Sequence, residues 1–367
     1  MTGSDYSRLR RAAAAVRRVD PAWLARAAAR LDSLTKPPGS LGRLEQIAAR
    51  LCAIEQTLSP RASPRRVVVF AADHGVTEEG VSAYPPAVTA QMVGNFLRGG
   101  AAINALARAA GAEVCVVDVG VAGTIDDRGR CARLESRRVR EATRNMTREP
   151  AMTDAELDAA FGFGLDAANA AAADGVALLA LGDMGIGNTT AASAITAAMA
   201  RLPASFVTGR GTGIDSETHA RKVGVVTEAL RRNRPGHDPI EIVRTVGGLE
   251  IAAIAGACVG AAAHRIAVIG DGFVATAAAL VAAGVCPAFI DYWFAAHRST
   301  EPGHTVQLAL LGHRPLLELE MRLGEATGAV LAMHLFGAAA AVMTEMATFD
   351  AAGISNASAA GDVAAAP

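Results

Sequence analysis

Four aliphatic runs, each ending in an aspartate with glycine close by, constrain this chain more than any other feature. They are residues 67–75 (VVVFAADHG), 114–120 (VCVVDVG), 176–185 (VALLALGDMG) and 266–272 (IAVIGDG). Uninterrupted apolar runs of this length fit strands covered on both faces, and strands of that kind belong to parallel sheets. Between them lie alanine- and leucine-rich stretches of helical character, such as residues 153–173 and 189–201. Alternating strands and helices require crossover connections, so the fold class is α/β with a mostly parallel sheet. Ligands of open α/β sheets bind beyond the carboxyl ends of the strands. Asp73, Asp118, Asp183 and Asp271 would all stand at those ends. Any one of them could be a turn former or a helix cap; four at equivalent places point to a ligand cleft.

The remaining composition narrows the partners. With 367 residues, 51% of them hydrophobic, the chain can fill one large core or two smaller ones. A net charge of -1, from 35 basic and 36 acidic residues, offers no field for nucleic acid or an anionic membrane. Aromatics at 4% provide no stacking platform for single strands. Cys52, Cys115, Cys131, Cys258 and Cys286 form no C-x-x-C pair and read as reduced, mostly buried residues of a cytoplasmic protein. No zinc-type spacing occurs among the histidines. The Arg- and Ala-rich start reads as an amphipathic helix rather than a targeting segment, because Asp5, Asp20 and Asp32 interrupt it. The apolar stretches 272–290 and 329–344 read as buried helices; the second is short for a membrane span and contains His334.

Domain boundaries follow from where strand signals begin and end. Residues 1–60 and 305–367 are mainly helical and are expected to form a small domain from both chain ends. Residues 61–304 are expected to form the α/β domain, and the small, polar tail 353–367 to be partly disordered.

Five clusters could carry chemistry. Residues 182–190 (GDMGIGNTT) follow a strand and open a helix, which suits an anion or simply a strand–helix turn. Residues 209–215 (GRGTGID) with Lys222 could hold a phosphate, or be a surface loop with a solvated lysine. Residues 297–304 (HRSTEPGH) are dense in donors, and their two histidines leave a metal open but weakly indicated. In residues 322–329 (RLGEATGA), Glu325 precedes an apolar helix and is either a base or a paired structural charge; Asp183 is a second candidate acid. Residues 36–45 (KPPGSLGRLE) say only that an ordered linker joins two helices.

Taken together, these clusters resemble a known family. LTKPPGSLGRLE, ADHGVTEEGVSAYPPAVTAQMV, GDMGIGNTT, the Gly209 loop with Lys222, GGLEIAAIAGA, DGFVATAAAL, HRSTEPGH and RLGEATGA occur in order between Leu34 and Ala347. The chain is similar to the nicotinate-nucleotide–dimethylbenzimidazole phosphoribosyltransferases of cobalamin synthesis. The resemblance implies a Rossmann-like sheet with helices on both faces, a small helical domain and a homodimer. It also implies transfer of phosphoribose from nicotinate mononucleotide to 5,6-dimethylbenzimidazole, with inversion at C1′ and no cofactor or metal. By motif, Glu325 resembles the family's base, and Asp183 the second acid. Lys222, Ser299, Gly209 and Gly211 resemble phosphate contacts. Gly185, Asn188 and Thr189 would build the nucleotide pocket, and Ser82, Tyr84 and Met92 the benzimidazole side. Two departures stand out: Asp183 where the family more often has Glu, and Ala326 where it usually has Gly.

Two rival readings are weighed against this. A dinucleotide oxidoreductase needs G-x-G-x-x-G directly after the first strand, whereas DHGVTEEG stands there. A non-catalytic pyridine-nucleotide binder could dispense with Glu325. The Asp126-Asp127 pair is no phosphoribosyl-diphosphate loop, because it lacks the preceding four-residue apolar strand.

Overall fold

The computed structural model describes residues 5–355, so the last twelve residues of the expected disordered tail lie outside the described part. Six strands form one sheet: β1 Arg65–Ala72, β2 Ala112–Gly120, β3 Arg133–Ser136, β4 Leu178–Met184, β5 Ala267–Gly270 and β6 Trp293–Ala295. Their order is β3-β2-β1-β4-β5-β6, and every neighbouring pair is parallel. Val67 of β1 pairs with Val114 of β2 on one side and Ala180 of β4 on the other. The chain first runs outward through β2 and β3, then returns to start β4 beside β1. This is the doubly wound order, with its topological switch between β1 and β4.

The sequence dictates this core directly. Every residue from Arg66 to Ala72 is buried, as a strand covered on both faces requires. The helix Leu249–Ala263 is buried along nearly its whole length and packs against β1, β2, β4 and β5. Apolar residues all round a helix suit only such a position. It also packs tightly on the helix Asp154–Ala173, backbone to backbone. A Cβ on Gly164 would lie 1.9 Å from the Ala253 carbonyl oxygen, and one on Gly256 2.2 Å from that of Phe161. The 272–290 stretch supplies the buried helix Phe273–Val285.

The chain divides into two compact units. The α/β unit holds residues 1–17 and 64–333, and the second holds 18–63 and 334–367. Both differ from the boundaries expected at 60/61 and 304/305, for a packing reason. The helix Ser7–Ala15 contacts Asp154–Ala173 and Leu249–Ala263. The helix Pro302–Leu311 packs on Asn188–Ala200 and Phe273–Val285, with Gln307 Nε2 donating to Thr196 Oγ1 at 2.7 Å. Helical character alone did not reveal these attachments.

The second unit is built from both ends of the chain. Its helices Pro21–Asp32 and Arg43–Glu55 pack together, and the KPPGSLGRLE linker is tied by Lys36 and Glu45 at 2.8 Å. An antiparallel bridge joins Leu34 to Thr348. The helix Thr327–Glu345 is long and apolar enough to span a bilayer, yet Val330, Ala332, Met333, Phe336 and Ala339 are fully buried, as a core helix demands. Cys52, Cys115, Cys258 and Cys286 are buried and Cys131 is exposed; none is joined in a disulfide.

Candidate active site

A cleft opens at the carboxyl ends of the strands on the β4–β6 side of the switch. Asp183, Asn188, Thr189, Gly211, Gly272, His297, Ser299, Glu301, Arg322 and Leu323 line it. Wider surface hollows elsewhere, beside Gln91 and Arg98 or beside Arg108 and Cys131, bring together no comparable set of buried acids and cations.

One end of the cleft is made for an anion. Lys222 projects from the helix Ser216–Asn233, is 1% exposed, and its Nζ donates to Thr189 Oγ1 at 2.7 Å. Burial lowers its pKa to about 8, against the opposing pull of Glu301. Gly211 has φ +52°, and a Cβ there would stand 3.0 Å from Thr189 Oγ1 and 3.3 Å from Lys222 Nζ, so glycine lets the turn lie close against this pair. The Gly211 amide donates to Glu301 Oε1 at 2.8 Å, while Glu301 Oε2 is buried without a partner. Gly209 leaves room for that carboxylate, since a Cβ would fall 2.2 Å from Glu301 Oε2. The helix Phe273–Val285 starts at the cleft, adding free amides.

Ser299 is held by histidine chemistry. Its amide donates to His304 Nδ1 at 2.9 Å, so the proton of this imidazole sits on Nε2, 3.0 Å from Thr276 Oγ1. That hydroxyl in turn donates to the Gly272 carbonyl at 2.7 Å. Burial, with the neighbouring His297 and Arg298 charges, lowers His304 to about 3, so it stays neutral. Both its nitrogens are occupied by the protein, which removes the reading of His297 and His304 as a metal pair. Among the described residues no three His, Cys, Asp or Glu side chains are grouped to hold a metal.

The other end gathers acids. Asp183 ends β4 and accepts a hydrogen bond from Asn188 Nδ2 at 2.7 Å. Burial first, then Asp271, Glu250 and Glu325, raise its pKa well above the usual carboxylate range. Glu325 lies in the turn before the helix Thr327–Glu345 and is 4% exposed, with Oε2 unpartnered. Burial raises it to about 7; a backbone hydrogen bond from Ile103 opposes the rise and Asp271 adds to it. Desolvation thus outweighs the helix start, a contest the sequence left open. The two segments touch through Gly182, whose Cβ would meet the Ala326 nitrogen at 2.2 Å. The Glu325 amide donates to the Asp183 carbonyl at 3.2 Å.

Other expected residues fall elsewhere. Gly185 lies under the cleft, where a side chain would strike the Ala72 carbonyl at 2.1 Å. Ser82 and Met92 are half-buried and Tyr84 is 51% exposed, and none of the three lines the cleft. From that stretch the inward residue is Thr89, whose hydroxyl donates to Asp73 and accepts the Ile186 amide.

Sequence reasoning missed Glu250 and Glu301 as individual site residues, and reached Asp271 only as one of four strand-end aspartates and His297 only within its cluster. Glu250 is fully buried and contacts His74 Nε2 at 2.8 Å. Burial opposes charging His74, but Glu250 outweighs it and the net shift is upward. A single acid inside the otherwise apolar GGLEIAAIAGA was a usable signal.

A doubly wound sheet, an anion cradle beside its switch point and two buried acids raised above the usual carboxylate range define a nucleotide-handling group-transfer enzyme. Comparison with known proteins agrees. A family model described as phosphoribosyltransferase matches residues 16–354, and the chain belongs to that family. It is 53% identical over 337 residues to the nicotinate-nucleotide–dimethylbenzimidazole phosphoribosyltransferase of Geobacter sulfurreducens, covering 92% of this chain and 95% of the relative. It is 52% identical to the enzyme of that name from Chloroflexus aurantiacus, over 89% of this chain and 92% of the relative. The crystal structure of CobT from Thermus thermophilus superposes with a TM-score of 0.87 at 51% identity, over 92% of this chain and 100% of that one.

Proposed function

We propose that this chain transfers the phosphoribosyl group of nicotinate mononucleotide to 5,6-dimethylbenzimidazole, releasing nicotinate and forming α-ribazole 5′-phosphate with inversion at C1′. The observation that carries the reading is a pair of buried acids, Glu325 raised to about 7 and Asp183 raised well above its usual range, beside the Lys222 cradle. Burial that shifts carboxyls in a cleft suits them to acid–base work.

In this reading Lys222, the Gly211 turn and Ser299 hold the 5′-phosphate. The unprotonated benzimidazole nitrogen attacks C1′ as the C1′–N bond to the pyridinium breaks, its electron pair passing to nicotinate. The second ring nitrogen, now part of a cationic azolium, gives its proton to the Glu325 carboxylate. Asp183, which burial raises well above the usual carboxylate range, orients rather than accepts. The pyridinium is an activated leaving group, so positioning and the surrounding acids supply the remaining stabilisation.

Asp183 is one methylene shorter than the family's usual Glu, and Asn188 holds its carboxyl, consistent with a positioning role. The near-neutral net charge supports a protein that works without nucleic acid or membrane, and the family resemblance supports a cytoplasmic homodimer. The test is to mix the protein with nicotinate mononucleotide, with and without dimethylbenzimidazole. Nicotinate release that requires the base and yields the α-riboside phosphate is the expected outcome. Release independent of the base, or none, defeats the reading.

A further inference from the structure

We propose that Asp271 is a positioning residue for Glu325: from the end of β5 it clamps the helix start immediately behind the turn that presents the base. The inference rests on the reaction proposed above.

The turn cannot hold itself. Gly324, Glu325 and Ala326 have φ of +87°, +62° and +68°, three successive left-handed residues of which two carry a Cβ. Such backbone is unfavourable for L-residues and persists only where the surroundings impose it. The following helix also begins with amides that need acceptors. Asp271 Oδ1 accepts from Gly328 at 2.7 Å and from Ala329 at 3.1 Å, fixing the helix start three residues beyond Glu325. Asp271 is itself locked, being fully buried with its amide bonded to the Leu181 carbonyl of β4. His297 packs over the same point: a Cβ on Gly328 would lie 2.0 Å from its ring.

Capping alone would not require a carboxylate. Asp271 Oδ2 is buried and unpartnered, so the residue keeps acceptor capacity and charge beyond what two amides use. That charge acts on both acids of the site, since Asp271 raises Glu325 and Asp183 alike. Asp183 on β4 also acts on Glu325, and the helix Ala102–Ala110 supplies a backbone hydrogen bond from Ile103; Asp271 itself faces His297, whose Nε2 lies 3.5 Å from Oδ1 and whose pKa it raises against burial. Asp271 is therefore placed both to fix the geometry of the base and to keep its acidity close to neutral.

Two variants separate these roles. Asp271→Ala removes clamp and charge; Asp271→Asn keeps an oxygen toward Gly328 and Ala329 while removing the charge. In Asp271→Ala, kcat should fall roughly 100-fold, the scale of an ångström-sized misplacement, with the nucleotide KM changed less than about two-fold. Asp271→Asn should recover most of that loss at pH 8, and its acid limb should move to lower pH. The Glu325 carboxyl, followed by carbon NMR in glutamate-labelled protein and assigned by difference with Glu325→Gln, should titrate at lower pH in Asp271→Asn than in the wild type. Should Asp271→Ala fail to fold, Asp271→Asn carries the test alone. An unmoved Glu325 titration overturns the proposal, as does a nucleotide KM that rises as far as kcat falls. If the wild type releases no nicotinate, the reaction fails, while the NMR titration still judges the link between Asp271 and Glu325.

Discussion

Four aspartates end four neighbouring strands, yet the two on the β1–β2 side and the two on the β4–β5 side do different work. Asp73 uses both oxygens on protein donors, the Thr89 hydroxyl at 2.6 Å and the Ala122 amide at 2.8 Å. Asp118 likewise accepts from the Gly120 and Val121 amides through one oxygen and from Arg138 through the other. Both stitch turns together. Asp183 has only Asn188 as side-chain donor, and Asp271 retains an oxygen with no partner. Position at a strand end makes an acid available to a ligand; acceptor capacity left unused by the protein is what leaves it free for chemistry.

The largest effect that bears on this contrast is at Glu325. Glu325→Gln should fold and bind nicotinate mononucleotide but lose roughly 10²–10⁴-fold in turnover, the range for a general base. Calorimetry beside single-turnover kinetics checks both halves, and near-normal turnover would return the base to Asp183. Next comes the opposite end of the cleft. Lys222→Ala should weaken the nucleotide by about 1.5–3 kcal/mol while leaving the unphosphorylated riboside nearly unaffected, and equal losses for both would remove the lysine from the phosphate.

Acidity sharpens the same comparison. Glu325 accepts only when ionised, so kcat/KM should rise with pH through about 7. Lys222 binds phosphate best when protonated, so kcat/KM should fall as pH passes about 8. The expected profile is a narrow bell between these limbs, with Glu325→Gln lacking the acid limb and Lys222→Ala the basic one. The smallest catalytic effects separate the aspartates. Asp183→Asn should cost turnover about ten-fold, less than Glu325→Gln, and Asp183→Glu less still. Asp118→Asn should leave turnover within about two-fold and instead lower unfolding stability by about 1–3 kcal/mol, because the Arg138 guanidinium loses the more buried of its two charged partners, Asp118, and keeps only Glu141. A turnover loss at Asp118 larger than at Asp183 would dissolve the distinction between the two halves of the sheet.

Much of this was legible in the sequence because the central strands are uninterrupted apolar runs with no alternative use. The edges were not. β3 and β6 span four and three residues, too short for any periodicity, and their neighbours define them. The attachment of the helix Pro302–Leu311 to the α/β unit depends on contacts such as Gln307 with Thr196, 111 positions apart. Glu325, Asp183 and Lys222 were found through motifs, and their placement at one cleft follows from the strand order. Their acidities were not readable, since desolvation depends on the closed core around them. Tyr84 stands in the same motif stretch as the buried Thr89 yet is 51% exposed, a difference in burial that the motif alone does not carry.

The left-handed turn of Gly324, Glu325 and Ala326 has a consequence for how the protein acquires and loses competence. Its anchors lie 142 positions back at the Asp183 carbonyl and more than fifty back at Asp271. Of residues 324–326 only Gly324 is at ease in this conformation, so the turn depends on β4 and β5 already lying side by side. During folding the base is therefore among the last groups to reach its place. In mild denaturant it is among the first to leave, because local opening requires far less free energy than dissolving the sheet. Catalytic competence thus reports on one turn, and it should be lost while the sheet stays paired and the helices that dominate the far-UV signal stay folded.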